Sequence, residues 1–167
     1  FYLLHHEQLK ELNHHFFEMT SDSYFSQNLN LQSQLSFVDG LHTAKQAFID
    51  FVNCYNSTEQ HGFIVIDDIL PESLYSCQPF RVDSLWHGDV LKILPLIRNL
   101  FPFITLKIID CSPGGLAIIQ KDNAVQLSIP NNLDALIDSI SILKCFLDRN
   151  NYNIINDDPS NIPNYLT

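Results

Sequence analysis

Apolar and polar positions alternate in blocks that predict strands and helices in turn. His15-Phe16-Phe17-Glu18-Met19 reads as a short strand, and Thr20-Ser21-Asp22-Ser23 supplies helix N-cap chemistry ahead of Tyr24-Phe25. Leu35-Ser36-Phe37-Val38 reads as a second strand, closed by Asp39-Gly40. Thr43 and Gln46 form a capping box. The helix it opens has Ala44, Ala47, Phe48, Phe51, Val52 and Tyr55 at helical spacing. Phe63-Ile64-Val65-Ile66 is an unbroken apolar run, the mark of a strand buried on both faces, and it stops at Asp67-Asp68.

Residues 69–86 hold Pro71 and Pro79 and predict a long loop. A helix is expected from Gly88 to Leu100, with Pro95 breaking it unless its first part is a separate turn. Ile104 to Asp110 and Leu116 to Gln120 predict an antiparallel pair about the Ser112-Pro113-Gly114-Gly115 turn. Leu133 to Leu147 predicts one amphipathic helix, and residues 4–13 the end of another. Alternation of this kind predicts an α/β sheet with helices on both faces. Residues 1–150 read as one α/β domain and residues 151–167, rich in Asn, Asp and Pro, as a loose tail.

Charge narrows the function classes. Nineteen Asp and Glu against nine Lys and Arg give a formal charge of -10 over 167 residues. With three arginines, the chain is a poor match for phosphate backbones or anionic membranes, so neither nucleic acid nor membrane is expected as a partner. No apolar run reaches the ~18 residues of a transmembrane helix. The first residues lack the basic and long apolar regions of a signal peptide. Cys54, Cys77, Cys111 and Cys145 lie far apart and read as reduced thiols of a cytoplasmic protein, three of them buried. Cys111 is the one thiol weighed as a nucleophile. His5, His6, His14 and His15 read as surface residues.

In open α/β sheets ligands bind beyond the carboxyl ends of the strands. Thr20-Ser21-Asp22, Asp39-Gly40-Leu41-His42 and Asp67-Asp68 each follow a predicted strand, so they should share one rim. Carboxylates converging there repel one another, and a hard divalent cation would neutralise them. The competing expectation is that Asp39 and Asp68 cap helices while Asp67 faces water. His42, just before a helix N-terminus, suits a neutral base or a ligand contact. Arg81, Trp86 and Asp89 lie in or beside the long loop and suggest a lid over a substrate.

Five motifs in order, T-S-D-S-Y-F (20–25), F-V-D-G-L-H-T (37–43), G-F-I-V-I-D-D-I-L-P (62–71), W-H-G-D-V-x-K (86–92) and D-C-S-P-G-G-L-A-I-I (110–119), resemble class I S-adenosylmethionine-dependent methyltransferases. The small-molecule O-methyltransferase-like branch is the nearest likeness. The resemblance spans about residues 14–120. It implies a Rossmann-like three-layer sandwich with strand order 3-2-1-4-5-7-6 and strand 7 antiparallel, and it makes the strands above strands 3 to 7. It implies contacts to the cofactor from Thr20, Ser21, Asp22, Asp39, Gly40 and His42. It also implies a divalent cation such as Mg²⁺ on Asp39, Asp67 and Asp68, with Asp39 and His42 as catalytic residues.

The family's glycine-rich loop after strand 1 and the acidic residue ending strand 2 have no counterpart in these residues, so an upstream segment is expected. The function so implied is methyl transfer to a small-molecule acceptor, most simply a hydroxyl. The alternative is a degenerate, non-catalytic domain that binds other proteins. A metal-using hydroxylase and a receiver-type signalling domain fit the motifs less well. A homodimer is left open by the exposed sheet edge.

Overall fold

The computed structural model describes residues 15–27, 31–82, 84–152 and 154–155. The helix end expected over residues 4–13, and the surface positions expected for His5, His6 and His14, lie outside them. One mixed sheet organises the chain. Its strands are β1 (Ser33–Val38), β2 (Thr58–Ile66), β3 (Leu106–Ile109), β4 (Leu116–Gln120) and β5 (Ile154–Ile155), in the order β1-β2-β4-β3-β5. β1 runs parallel to β2, and β3 to β5, while β4 is antiparallel to both its neighbours. The expected antiparallel hairpin is therefore present. The fold is α/β with an open mixed sheet.

The helices are α1 (Ser21–Gln27), α2 (Ala44–Ser57), α3 (Ile93–Leu100), α4 (Leu133–Ser139) and α5 (Ile142–Asp148), with 3-10 turns at Val90–Lys92 and Arg149–Asn151. Their boundaries follow local chemistry. Thr43 caps α2 by accepting from Gln46 N, and Thr20 does the same for α1 from Ser23 N. Pro95 sits in the first turn of α3, where its missing N–H costs nothing, and the 3-10 turn before it is the separate piece that proline required. At the far end of α2, the buried Lys121 ammonium donates to Thr58 O (2.7 Å) and lies over the Tyr55 ring. That places a cation on the helix's orphan carbonyls.

Expected and observed elements differ at five places. Residues 15–19 form no strand: Met19 N–H turns back onto Phe17 O (2.9 Å), and Phe16, Phe17 and Met19 are exposed. A segment of strand composition needs a neighbouring edge, and no described strand pairs with this one. β2 begins at Thr58, five residues before the apolar run, and its register with β1 shifts between Ser33 and Leu35. Gly62 makes this possible, because a Cβ there would stand 2.8 Å from Gln34 O. The single helix over 133–147 is two helices, since Ser141 accepts from Lys144 N and starts α5 afresh. The tail predicted from residue 151 contributes β5 beside β3.

The fifth difference concerns the layers. β1-α2-β2 and β2-α3-β3 are both crossovers that move the same way across the sheet. Right-handed connections then put α2 and α3 on one face. Ile64 and Ile66 of β2, Ala117 and Ile119 of β4, and Leu106 and Ile108 of β3 point to that face and pack with Phe48, Phe51, Leu94 and Ile97. On the other face Leu35 and Phe37 are 64% and 57% exposed. The three-layer sandwich is thus seen as two layers among the described residues, because no strand order reverses within them. No described helix is long and apolar enough to cross a membrane.

The loop before α3 is welded to the start of α2. Asp89, buried, accepts from Ala44 N (2.8 Å) and pairs with Lys92 (3.2 Å). Replacing Asp89 with Ala leaves a buried N–H without its acceptor and costs about 1–3 kcal/mol. Urea unfolding of Asp89→Ala should show a lower midpoint at unchanged slope, with Asp89→Asn intermediate; a midpoint equal to wild type would remove this bond from the account.

Candidate functional site

Parallel pairing builds the rim. Val38 stands opposite Ile66, and Asp67 N donates to Val38 O (3.0 Å), so Asp39 and Asp67-Asp68 leave the sheet side by side. Beyond them both chains enter left-handed backbone, at His42 (φ 53°) and Asp68 (φ 64°). Such angles are uncommon outside glycine and cluster where a site over-determines the backbone. Asp39, His42, Asp67 and Asp68 border one cleft of about 10 Å³, near the lower limit for a single water.

From this cleft a row of alternating acids and imidazoles leads on to residues that do not line it. His42 Nε2 lies 3.4 Å from Asp39 Oδ1, and His42 Nδ1 lies 3.1 Å from Asp68 Oδ2. Asp68 Oδ1 is 2.6 Å from His87 Nδ1, and His87 Nε2 is 2.7 Å from Glu72 Oε2. The row therefore runs Asp39, His42, Asp68, His87, Glu72. Burial opposes charge on His87, but its hydrogen bonds to Asp68 and Glu72 outweigh that and hold its pKa above the ordinary imidazole range. Burial pushes Asp67 up, and the charge of Asp39 pushes it further, against the pull of the Asp68 N–H.

The Ser112–Gly115 turn belongs to the same site. A Cβ on Gly114 would meet His87 Nδ1 at 2.8 Å and Asp68 Oδ1 at 3.0 Å, at a φ of +84°. Glycine there is a steric requirement. Gly114 N also donates to Glu72 Oε1 (3.3 Å), tying the β3–β4 hairpin to the loop after β2.

A cavity of about 510 Å³ opens beside the cleft, between α1, the end of β1 and α2. Thr20, Ser21, Asp22, Asp39 and Gly40 line it, with Phe25 and Phe37 as apolar wall. His42 borders the cleft, which shares Asp39, Gly40 and Leu41 with the cavity. The Gln46 amide nitrogen is within 3.2 Å of Ser21 Oγ and 3.0 Å of Asp22 Oδ1 and Asp50 Oδ1. Only half of the predicted capping box is used, since the Gln46 side chain turns to α1. Asp50 is 8% exposed, and burial pushes its carboxyl up.

Among the residues expected to bind metal, Asp39 and Asp68 converge, and their partner is His42. One donor atom from each lies within 4.8 Å of the others. Asp67 stands beside the trio with Oδ1 accepting from Asp68 N (2.8 Å). Neither Asp39 nor Asp68 is the N-cap of α2; Thr43 is. Trp86 stacks on His42 at 5.1 Å with its indole N–H donated to Gln78 O, Arg81 is exposed, and Asp89 pins α2. Of the residues expected to form a lid, Trp86 thus stands against His42 and Asp89 against the start of α2. Sequence reasoning passed over His87, Glu72, Gln46 and Asp50. The signals were His87 beside the only Trp and Asp50 on the apolar side of α2, but their meeting depends on how the 69–89 loop folds back.

Comparison with protein-family models, with curated proteins and with solved structures finds no match to this chain.

Cys54, Cys77 and Cys145 are buried and all four thiols are free. Burial pushes Cys54 and Cys77 up to about 11, and burial with the charges of Asp67 and Asp110 raises Cys111 as well. A thiol so raised is no activated nucleophile. Alkylation of the native protein near pH 7.5 should be slow at every cysteine and become fast in urea. Fast native labelling of Cys111 would restore it as a catalytic candidate.

Proposed function

We propose that this chain serves S-adenosylmethionine-dependent methyl transfer to a small molecule, with a hydroxyl as the acceptor. The observation that carries this reading is the 510 Å³ cavity, which gathers five of the six residues singled out for the cofactor. The order β1-β2-β4-β3 with β4 antiparallel supports it, being the 4-5-7-6 portion of the order implied by the resemblance.

The donor set fits the cofactor. Asp22, Asp39 and Asp50 line the cavity without a Lys or Arg among its lining residues, which favours a ligand bearing positive charge. Phe25 and Phe37 offer apolar surface for a flat ring, and Thr20, Ser21 and Asp22 offer acceptors for hydroxyl or amino hydrogens. S-adenosylmethionine combines a sulfonium, an ammonium and a nucleoside. When bound, it supplies an electrophilic methyl group.

A divalent cation also fits, on Asp39, His42 and Asp68. The mixed oxygen and nitrogen set suits a first-row transition metal at least as well as Mg²⁺. Such an ion would lower the pKa of the acceptor hydroxyl. With no cation on it, His42 would be free to take the acceptor's proton itself. Trp86, stacked on His42, keeps water from that face, and the cavity wall orients the reactants.

The exposed apolar face at Leu35 and Phe37 favours the second reading, a non-catalytic domain that binds protein.

Calorimetric titration of S-adenosylmethionine, with and without Mg²⁺ or Mn²⁺, decides between them. It should be run on this chain and on the full product of its gene. Binding to the gene product is expected, with His42→Ala lowering kcat by about 10²–10⁴ while affinity for the cofactor stays. Asp39→Asn with Asp68→Asn should abolish any metal dependence. Binding to neither protein would overturn the methyltransferase reading.

A further inference from the structure

We propose that the Trp86–Gly88 segment is a positioning clamp that fixes His42 as its Nδ1–H tautomer, leaving Nε2 as its open nitrogen. Nδ1 lies 3.0 Å from the main-chain carbonyl oxygen of Trp86. A carbonyl oxygen only accepts, so the nitrogen facing it carries the hydrogen. The second neighbour of Nδ1, Asp68 Oδ2 at 3.1 Å, is also an acceptor. The opposite tautomer would point the ring's lone pair at both oxygens.

The clamp reaches His42 by three routes. The Trp86 ring stacks on the imidazole at an interplanar angle of 21°, and its N–H is anchored on Gln78 O (2.6 Å). His87 holds Asp68, whose other oxygen faces Nδ1. The main chain is held in turn by Ser76 O, which accepts from both His87 N (3.0 Å) and Gly88 N (3.1 Å). Gly88 has a φ of 65° and lies so close that a Cβ would overlap the His42 carbonyl. This close approach accompanies the Trp86 carbonyl's contact with Nδ1.

Neutral His42 then presents a lone pair at Nε2 toward Asp39 Oδ1, 3.4 Å away. Two acceptors facing each other make a notch for a hydrogen-bond donor. An O–H or N–H of an acceptor molecule satisfies both, whereas a carboxylate would be repelled. The tautomer stands on geometry alone; the use of Nε2 as the base rests on the function proposed above.

Long-range proton–nitrogen correlation spectra of histidine-labelled protein, taken at alkaline pH where imidazoles are neutral, read the tautomer directly. His42→Gln assigns the signal. The expected wild-type pattern is a protonated Nδ1 and an unprotonated Nε2. Trp86→Phe, which keeps the ring and the main-chain carbonyl, should retain it. Gly88→Ala should push the segment off His42 and shift the ring toward Nε2–H or a mixture. An Nε2–H pattern in the wild type overturns the proposal even if Gly88→Ala fails to fold, and so does an unchanged Nδ1–H pattern in a folded Gly88→Ala. No cofactor is present in these spectra, so their outcome is separate from that of the binding titration.

Discussion

Everything at the rim depends on the parallel pairing of β1 with β2. The two strands can lie side by side only because α2 carries the chain back across one face of the sheet. The Val38–Ile66 register then fixes where both strands run out, and three carboxylates leave the sheet within reach of one another. Shifting that register by one residue would turn Ile64 and Ile66 to solvent, so the packing of the core and the placing of the acids are set by the same constraint.

The second layer of organisation is the 69–89 loop. Its length suggests mobility, yet its inner half is buried and bonded on all sides. Ser76 O collects two main-chain N–H groups, His87 bridges two carboxylates, and Asp89 holds the first turn of α2. The loop thus supplies walls to the site and a structural bond to the helix below it. A long connection of this kind is ordered by satisfying its polar groups, as any buried backbone must be.

Much of this was legible in the residues. Period and capping placed α2, the Pro95 break and the hairpin about Ser112–Gly115, because each rests on interactions within a few residues. The strand ends were legible for the same reason, since Asp39 and Asp67-Asp68 abut apolar runs. What could not be read depends on distant partners. His15–Met19 has strand composition but joins no described strand, and Thr58–His61 has polar composition but an edge ready to receive it. His42 rather than Asp67 stands with Asp39 and Asp68, and an Asp68 N–H, invisible in composition, claims an oxygen of Asp67. His87 was overlooked since its partners, Asp68 and Glu72, are 19 and 15 residues away.

The outer edge of β1 carries Ser33-Gln34-Leu35-Ser36-Phe37-Val38, without a charge or a proline, and no described strand pairs with it. Unprotected edges of this kind template pairing between chains. What opposes such pairing is the formal charge of -10, a repulsion between whole molecules. Salt weakens that repulsion, since the screening length falls to about 8 Å at physiological ionic strength and about 3 Å at 1 M. Association of chains through this edge would thus be opposed by surface carboxylates far from it and favoured by added electrolyte.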